Sequence, residues 1–214
     1  MSYDKNVFIN CPYDKKYLSL LRKMIFTIMF FGYNVQIVCQ DQNSATPRLD
    51  KIFELIKNSK FGIHDLSRNK IEKKSRTKRK KIDDSTIIFR LNMAFELGID
   101  IGIKKSKEEQ RNKKFLILDA EDYLYQKAIS DINGLDIQNH KNNQRNLIKI
   151  LRDWFVAEEE LTQMPSADNI WIIYNTDFLC YYNDKYVELG FKANDIDKIS
   201  IPEYIQVVKK FLNA

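Results

Sequence analysis

Residues 7–12 carry the run VFINCP, a short stretch of β-favouring side chains that ends at a turn signal. Three further runs of this kind follow, at residues 35–38, 60–66 and 115–118. The last of them, FLIL, is apolar throughout, as expected for a strand that is covered on both faces. The four runs predict four short strands of one sheet.

Helices are predicted between these strands, because apolar residues recur there at three- and four-residue steps. They cover residues 17–29, 47–56, 89–103 and 146–157. In the third helix we expect one apolar face to be buried, made of Leu91, Ala94, Phe95, Leu97 and Gly98. Strands that alternate with helices imply right-handed crossovers, so we expect the α/β class with a doubly wound, mostly parallel sheet.

Two regions are predicted, an α/β domain at residues 1–158 and a C-terminal extension at residues 159–214. The extension is rich in aromatic residues and is too short to bury a sufficient core alone. We therefore expect it to be helical and packed on the domain, or to offer a surface to a partner protein.

Charge and cysteine content suggest the setting in which the chain works. The net charge is +6, and much of the excess lies in residues 70–81, which hold eight lysine or arginine residues and one acid. This run is a solvated loop or a contact for nucleic acid. Three widely spaced cysteines fit a reducing compartment. With no signal peptide and no apolar run of about twenty residues, a cytoplasmic protein without membrane contact is expected.

Ligands of doubly wound sheets bind outside the carboxyl ends of the strands. The polar residues that follow the predicted strands are therefore site candidates, and they are Asn10, Cys11, Gln40, Asp41, His64, Asp65, Ser67, Asp119 and Glu121.

One further candidate lies in the helical stretch NMAFELG, residues 92–98, where Glu96 is surrounded by apolar side chains. Such a carboxylate is desolvated, which raises its pKa and suits it to acid, base or nucleophile chemistry. Asn92 precedes it by one helical turn and shares its face. The alternative is a glutamate at the helix edge that is paired with a lysine or arginine.

These motifs, taken in order, carry a resemblance. The opening VFINCPYD, the strand end GIHDLS at residues 62–67 and the NMAFELG stretch resemble the nucleoside 2-deoxyribosyltransferase family and the related TIR-like nucleotide-binding proteins. The resemblance covers about residues 5–155 and implies a flavodoxin- or TIR-like sheet. It departs from the family at the basic insertion of residues 69–81, which favours a larger anionic ligand over a free nucleoside.

The resemblance implies cleavage of the N-glycosidic bond of a nucleotide, with NAD favoured as substrate and with no cofactor and no metal. Glu96 would act at the anomeric carbon, with Asp65 and Asn92 in support. The ligand would be bound by Asn10, Cys11, Pro12, Asp41, His64, Ser67 and Asp131. Such enzymes often act in bacterial antiviral defence and self-associate, so a homo-oligomer or a partner protein is expected.

Several alternatives stay open at this point. The same cleft could sense a nucleotide without cleaving it, or residues 70–81 could bind nucleic acid. Asp131 could belong only to the turn at residues 133–134, and His64 could be a core histidine. Cys11 lacks an adjacent base, and His140 is expected to be exposed.

Overall fold

A computed structural model of the chain describes residues 2–67, 70–71, 88–89, 91–120, 132 and 134–214. The strands in these residues are β1 (Asn6–Asn10), β2 (Asn34–Gln36), β3 (Phe61–Asp65), β4 (Lys70–Ile71), β5 (Ile88–Phe89), β6 (Lys114–Asp119) and β7 (Ile137–Asn139). Five of them form one all-parallel sheet in the order β2-β1-β3-β6-β7, and β4 and β5 form a separate antiparallel pair. The predicted doubly wound α/β fold is confirmed.

The helices of the described residues are α1 (Leu18–Phe30), α2 (Arg48–Lys57), α3 (Asn92–Ser106), α4 (Gln144–Glu158), α5 (Ala167–Ile173), α6 (Leu179–Glu188), α7 (Ala193–Ile196) and α8 (Ile201–Leu212). A π-helical segment, Tyr174–Phe178, joins α5 to α6. Side chains cap several of these helices. Asn143 accepts a hydrogen bond from the Asn146 amide at the start of α4, and Ser166 does the same for Asn169 at the start of α5.

The two faces of the sheet carry different cores. Val7 and Ile9 of β1 pack with α1 and α4, whereas Phe8 between them packs with residues of α2 and α3. This alternation follows from the two-residue period of a strand. It also sends the neighbours His64 and Asp65, at the end of β3, to opposite faces, so these two adjacent side chains enter separate networks.

The strand order places a topological switch point between β1 and β3. The chain leaves β1 through α1 toward β2, and leaves β3 toward β6 on the other side. The two strand ends are paired, with Asn10 in register with His64. Because the connections diverge here, a crevice opens outside the carboxyl ends of β1 and β3, which is the usual ligand position in such sheets.

The C-terminal extension shares the core of the sheet domain. Phe178 lies fully buried, with its ring 5.0 Å from that of Phe26 on α1 and 5.4 Å from that of Phe211 on α8. The Tyr204 hydroxyl donates to the Arg22 carbonyl oxygen of α1 at 3.0 Å. The helices after Glu158 therefore cover the outer face of α1 with an aromatic layer.

Three features of the fold differ from the sequence expectations. The pair of β4 and β5 was not predicted, and Phe89, the predicted start of the third helix, lies in β5, so that α3 begins only at Asn92. Strand β7 was not predicted, because its three residues contain a single apolar side chain, Ile137. The predicted buried face of α3 is wrong in phase, since Leu91 is 46% and Phe95 59% exposed. Leu97 is buried as predicted, and the other buried positions of this helix are Met93, Glu96, Asp100 and Ile103. Two carboxylates thus replace apolar side chains on the face that meets the sheet.

No helix among the described residues is both long enough and apolar enough to cross a membrane. Most of the basic run predicted as a loop or nucleic-acid contact, residues 72–81, lies outside the described residues.

Candidate functional site

A cavity of about 350 Å³ opens at the switch point. Its walls come from the loop after β1, the first turn of α2 and the first turns of α3. The lining residues are Asn10, Cys11, Pro12, Tyr13, Asp14, Arg48, Asn92, Met93 and Glu96. Five of the predicted site residues, Asn10, Cys11, Pro12, Asn92 and Glu96, therefore meet in one cavity.

Glu96 is the buried carboxylate of this cavity, with a side chain that is only 9% exposed. It lies on the sheet-facing side of α3, next to Leu97 and one turn after Met93. Burial raises the pKa of Glu96 above its ordinary value, and the neighbouring guanidinium of Arg48 opposes that rise. The carboxylate therefore lines the cavity in a poorly solvated place.

Arg48 is the first residue of α2 and the cationic member of the cavity lining. Its Nη2 atom lies 3.6 Å from Glu96 Oε1, while 59% of its side chain is exposed. One end of the guanidinium therefore meets the buried carboxylate and the rest faces solvent. This arrangement combines the catalytic and the paired-glutamate interpretations of Glu96, because the glutamate lines a cavity and also has an arginine partner.

Asn10 is 98% buried at the end of β1, and its amide group is fixed on both sides. Its Nδ2 atom donates to the Met93 carbonyl oxygen at 2.8 Å and lies 3.1 Å from His64 Nδ1. A carbonyl oxygen can only accept, so the amide nitrogen must face Met93 and its second hydrogen faces the histidine. These contacts join the end of β1 to the first turn of α3.

A chain of buried polar groups continues behind Asn10 on the α3 face of the sheet. His64 Nε2 lies 3.2 Å from Asp100 Oδ2, and Asp100 Oδ1 lies 3.1 Å from Lys113 Nζ. Lys113 also donates to the carbonyl oxygens of Ile56, at 2.7 Å, and Ser59. Burial lowers the pKa of Lys113, and its pairing with Asp100 works against that shift. We call the four residues Asn10, His64, Asp100 and Lys113 the relay.

Gly62 makes room for this relay within β3. A Cβ atom at this position would lie 2.7 Å from Asp100 Oδ2 and 2.8 Å from His64 Nε2. Such distances are shorter than any ordinary contact, so the site needs a residue without a side chain.

Asp65 lies on the opposite face of the sheet, where it is fully buried and accepts hydrogen bonds at both carboxylate oxygens. Its Oδ2 atom accepts from the Tyr17 hydroxyl and from His140 Nε2 at 3.0 Å, and its Oδ1 atom accepts from the Ser67 amide at 2.8 Å. Burial alone would raise the pKa of Asp65, but the hydrogen bonds from His140, Ser67 and Tyr17 bring it below its ordinary value. Asp65 is therefore held as an anion away from the Glu96 cavity.

The group of Ser67, His140 and Asp65 has the composition of a nucleophilic triad but not its geometry. Both Ser67 Oγ, at 3.1 Å, and Asp65 Oδ2 contact the same ring atom, His140 Nε2. The other ring nitrogen accepts from the Asn142 amide at 3.1 Å. A triad needs one nitrogen for the serine and the other for the carboxylate. All three residues are also fully buried. Their contacts link the end of β3 to the segment that precedes α4.

His140 is a correction to the sequence analysis, which expected it to be exposed. Its ring is fully buried, because residues 137–139 form the unpredicted strand β7 and bring the histidine to the sheet edge. His64 is a core histidine and takes part in the relay instead of facing the cavity.

The cysteine of the cavity is unsuited to nucleophilic attack. Cys11 is buried, and this burial raises the pKa of its thiol well above the ordinary value, with Asp65 adding to the effect. The thiolate is the reactive form, and it is disfavoured here. Cys11 therefore contributes shape to the cavity wall.

The remaining candidates lie elsewhere. Asp41 lies in an exposed loop, where Oδ1 accepts from the Asn43 amide at 2.8 Å, and it lines a different cavity beside α2. Asp131 lies outside the described residues.

Four lining residues, Tyr13, Asp14, Arg48 and Met93, were not predicted from the sequence. Arg48 could have been found, since it is the first residue after Pro47 at a predicted helix start, and helix starts point to the same edge of the sheet.

Within the described parts of the chain, no group of three or more His, Cys, Asp or Glu side chains is arranged to hold a metal ion. Compared with known proteins, the chain matches no family model, and no curated protein or solved structure matches it significantly. The resemblance to deoxyribosyltransferases and TIR-like proteins therefore stays a prediction based on the motifs quoted above.

Proposed function

We propose that the chain cleaves the N-glycosidic bond of a nucleotide at the cavity between β1 and β3, with NAD as the favoured substrate. The observation that carries the proposal is Glu96, a carboxylate that is almost completely buried and yet lines an open cavity. Breaking a glycosidic bond leaves positive charge on the anomeric carbon. A carboxylate in a poorly solvated cavity stabilises that charge or traps the carbon covalently.

The leaving group favours NAD over ordinary nucleosides. The nicotinamide ring of NAD carries a positive charge while it is attached to ribose. It takes the electron pair of the C1′–N bond when it leaves and becomes neutral, so it needs no proton. A purine or pyrimidine leaves more readily when an acid protonates it. Burial raises the pKa of the Cys11 thiol and of the Tyr13 hydroxyl well above their ordinary values, so neither of these lining residues is a strong enough acid for this role.

Arg48 supports a phosphorylated ligand. Its guanidinium reaches Glu96 with one nitrogen and remains mostly exposed at the cavity. Guanidinium groups bind phosphate oxygens through paired, charge-assisted hydrogen bonds. A diphosphate could therefore engage Arg48 while the attached ribose lies next to Glu96.

The test is incubation of the purified chain with NAD, NADP, nicotinamide mononucleotide, nucleosides and nucleoside phosphates, followed by chromatography of the released bases. We expect nicotinamide release by the wild type, and a loss of about a thousandfold or more in Glu96→Gln with ligand binding retained. Glu108→Gln, which removes an exposed carboxylate at the far end of α3, is the matched control and should keep full activity.

Release of a base other than nicotinamide would support glycosidic cleavage but would contradict NAD as the substrate. Equal release by wild type and Glu96→Gln would remove Glu96 from the mechanism. The wild type and the Glu96→Gln variant should be assayed over a range of protein concentrations, because a site completed by self-association would be active only at high concentration.

The ion pair of Arg48 and Glu96 favours a second candidate, a nucleotide sensor. A carboxylate with an arginine partner can be a structural element that a phosphate displaces on binding. In that case a nucleotide binds to the wild type and to Glu96→Gln alike, and neither chain releases a base.

A further inference from the structure

We propose that the relay holds Asn10 so that its carbonyl oxygen is a fixed hydrogen-bond acceptor for a sugar hydroxyl of the ligand. This inference deepens the proposed function and rests on it, since it specifies a ribose with its hydroxyls intact at the cleavage cavity. The relay residues themselves, His64, Asp100 and Lys113, act on Asn10 as positioning residues.

The orientation of Asn10 follows from its partners. Both hydrogens of Nδ2 are engaged, one by the Met93 carbonyl oxygen at 2.8 Å and the other by His64 Nδ1 at 3.1 Å. A rotation of the amide by half a turn would place two oxygen atoms against each other at Met93, which is unfavourable. Oδ1 is left as the free end of the amide, without a donor among the described residues, and we infer that it faces the cavity that Asn10 lines.

The histidine is fixed by the same logic. Because Asn10 donates to Nδ1, that nitrogen must be unprotonated, so the hydrogen of the neutral ring is on Nε2. This hydrogen points at Asp100 Oδ2, 3.2 Å away. Lys113 then neutralises the buried carboxylate from its other oxygen. Asp100 therefore orients the ring of His64, and His64 orients the amide of Asn10, while Lys113 acts through its charge, because Asp100 Oδ1 has no hydrogen-bond partner among the described residues.

The Asn10 residue is almost completely buried, so a bound ligand that excludes water from the cavity and offers no donor leaves Oδ1 unpaired, which costs free energy. Sites of this kind reject ligands that lack the matching hydroxyl, because the buried polar atom then remains unpaired. The glutamate neighbouring this amide in the cavity, Glu96, is also without a hydrogen to donate when ionised. A ligand that brings hydroxyls, as ribose does, satisfies the acceptor, and a deoxy sugar lacking the bound hydroxyl does not.

The experiment measures binding in the Glu96→Ala chain, which prevents turnover and adds no hydrogen-bond donor to the cavity that Asn10 lines. The probes are nicotinamide mononucleotide and its 2′-deoxy and 3′-deoxy forms, titrated by calorimetry. One deoxy form is expected to bind about tenfold more weakly than the parent, as for loss of one neutral hydrogen bond. This penalty should disappear when Asn10→Ala is added. A penalty that persists in Asn10→Ala would overturn the inference.

Two substitutions of His64 separate positioning from stability. The oxygen of His64→Asn can still accept from Asn10, whereas His64→Gln can reach Asp100 but loses the acceptor. We expect His64→Asn to keep the hydroxyl discrimination and His64→Gln to lose it. His140→Gln is the control, equally buried on the other face, and should keep the discrimination. Equal behaviour of the two His64 variants would contradict the role of the relay.

A measurement on the wild-type chain does not depend on the folding of any variant. The chain has two histidines, so their ring nitrogens are simple to assign by ¹⁵N NMR. In mildly alkaline solution His64 must carry its hydrogen on Nε2, and an Nδ1–H ring would overturn the inference.

The outcomes also distinguish this inference from the proposed function. If all three mononucleotides bind equally, the role of Asn10 as a hydroxyl acceptor is contradicted, while the nucleotide-binding site is supported. If none binds up to millimolar concentration, the nucleotide site and the acceptor fail together.

Discussion

Arg48 Nη2 and Glu96 Oε1 lie 3.6 Å apart across the cavity, yet the arginine side chain is 59% exposed and the glutamate side chain 9%. The pair therefore joins a solvated cation to a desolvated anion. The attraction between the two groups is modest, because water screens the charge of the exposed arginine. Its effect is on the protonation of Glu96, because the guanidinium opposes the rise in pKa that burial causes.

Removing the cation should make the glutamate a weaker acid. In Arg48→Gln, burial still raises the pKa of Glu96 and the opposing guanidinium is gone, so the carboxylate should titrate at higher pH than in the wild type. Carboxyl ¹³C NMR of labelled glutamate measures this midpoint. Lys57→Gln, which removes a charge further along α2, should leave it in place. An unchanged midpoint in Arg48→Gln would show that the pair is absent in solution.

Glu96→Gln should stabilise the fold near neutral pH. A raised pKa means that the folded chain binds this proton more tightly than the unfolded chain, so stability falls as the pH rises above 4.5 and through the folded-state value. Glutamine avoids that loss, and a gain of about 1 kcal/mol raises the melting temperature by roughly 2–4 °C.

The gain should vanish well below pH 4.5, where the carboxyl group is neutral in both the folded and the unfolded chain. Melting curves of the two chains over this pH range test the sign. The exposed carboxylate of Glu54 is the control, since Glu54→Gln should have little effect at any pH. A lower melting temperature for Glu96→Gln at neutral pH would identify Glu96 as a structural partner of Arg48.

Gly62→Ala should destabilise the chain by about 1–3 kcal/mol or more. The new methyl group would lie within 2.8 Å of both His64 Nε2 and Asp100 Oδ2, and neither buried group can move into solvent. Gly98→Ala on α3 is the matched control, because a Cβ atom there meets nothing within 4 Å and alanine favours helix by about 0.5–1 kcal/mol. Denaturant melts of both variants measure the difference, and a neutral Gly62→Ala would contradict the described packing.

Asp65→Asn should cost about 3–5 kcal/mol at neutral pH, since it removes the anion from a buried network. Because the pKa of Asp65 is lowered in the folded chain, its contribution is present above 3.8 and is lost as the pH falls through the folded-state value. The difference between wild type and variant should therefore shrink in acid. Asp168→Asn, at an exposed pair with Arg145, should leave stability almost unchanged.

Phe178→Ala should destabilise the chain by about 3–5 kcal/mol, because its ring packs in the aromatic layer between α1 and the C-terminal helices. Since one core joins the two regions, the variant should still unfold in a single transition by circular dichroism and tryptophan fluorescence. Ile172→Ala is the control, as its side chain is 54% exposed. Two separate transitions in the wild type would show that the extension folds independently.

The sequence predicted the fold class, since the strands β1, β3 and β6 have the apolar runs of covered strands and the helices have clear periods. It placed Glu96 in a helix that meets the sheet and Asn10 at the edge where ligands bind. Strand β7 could not be predicted, because it forms by pairing with β6 and has little apolar character of its own.

The separation of His64 from Asp65 could also not be predicted from the residues alone. The two-residue period of a strand sends them to opposite faces, but only the helices on each face determine their partners. His64 meets Asp100, a carboxylate on a helix face that an apolar pattern would assign to the interior. Asp65 meets His140, whose position depends on β7. Both partners are distant in sequence, so local sequence patterns do not predict these contacts.

The full burial of both histidines has a practical consequence for the chemist. Diethyl pyrocarbonate modifies imidazole rings that solvent can reach, and in the native chain neither ring is accessible to it. Its reaction with either ring therefore reports the opening of the sheet edge, His64 for the side of α3 and His140 for the side of α1 and α4. Two residues thus serve as native reporters for the two faces of the sheet, without any label being introduced.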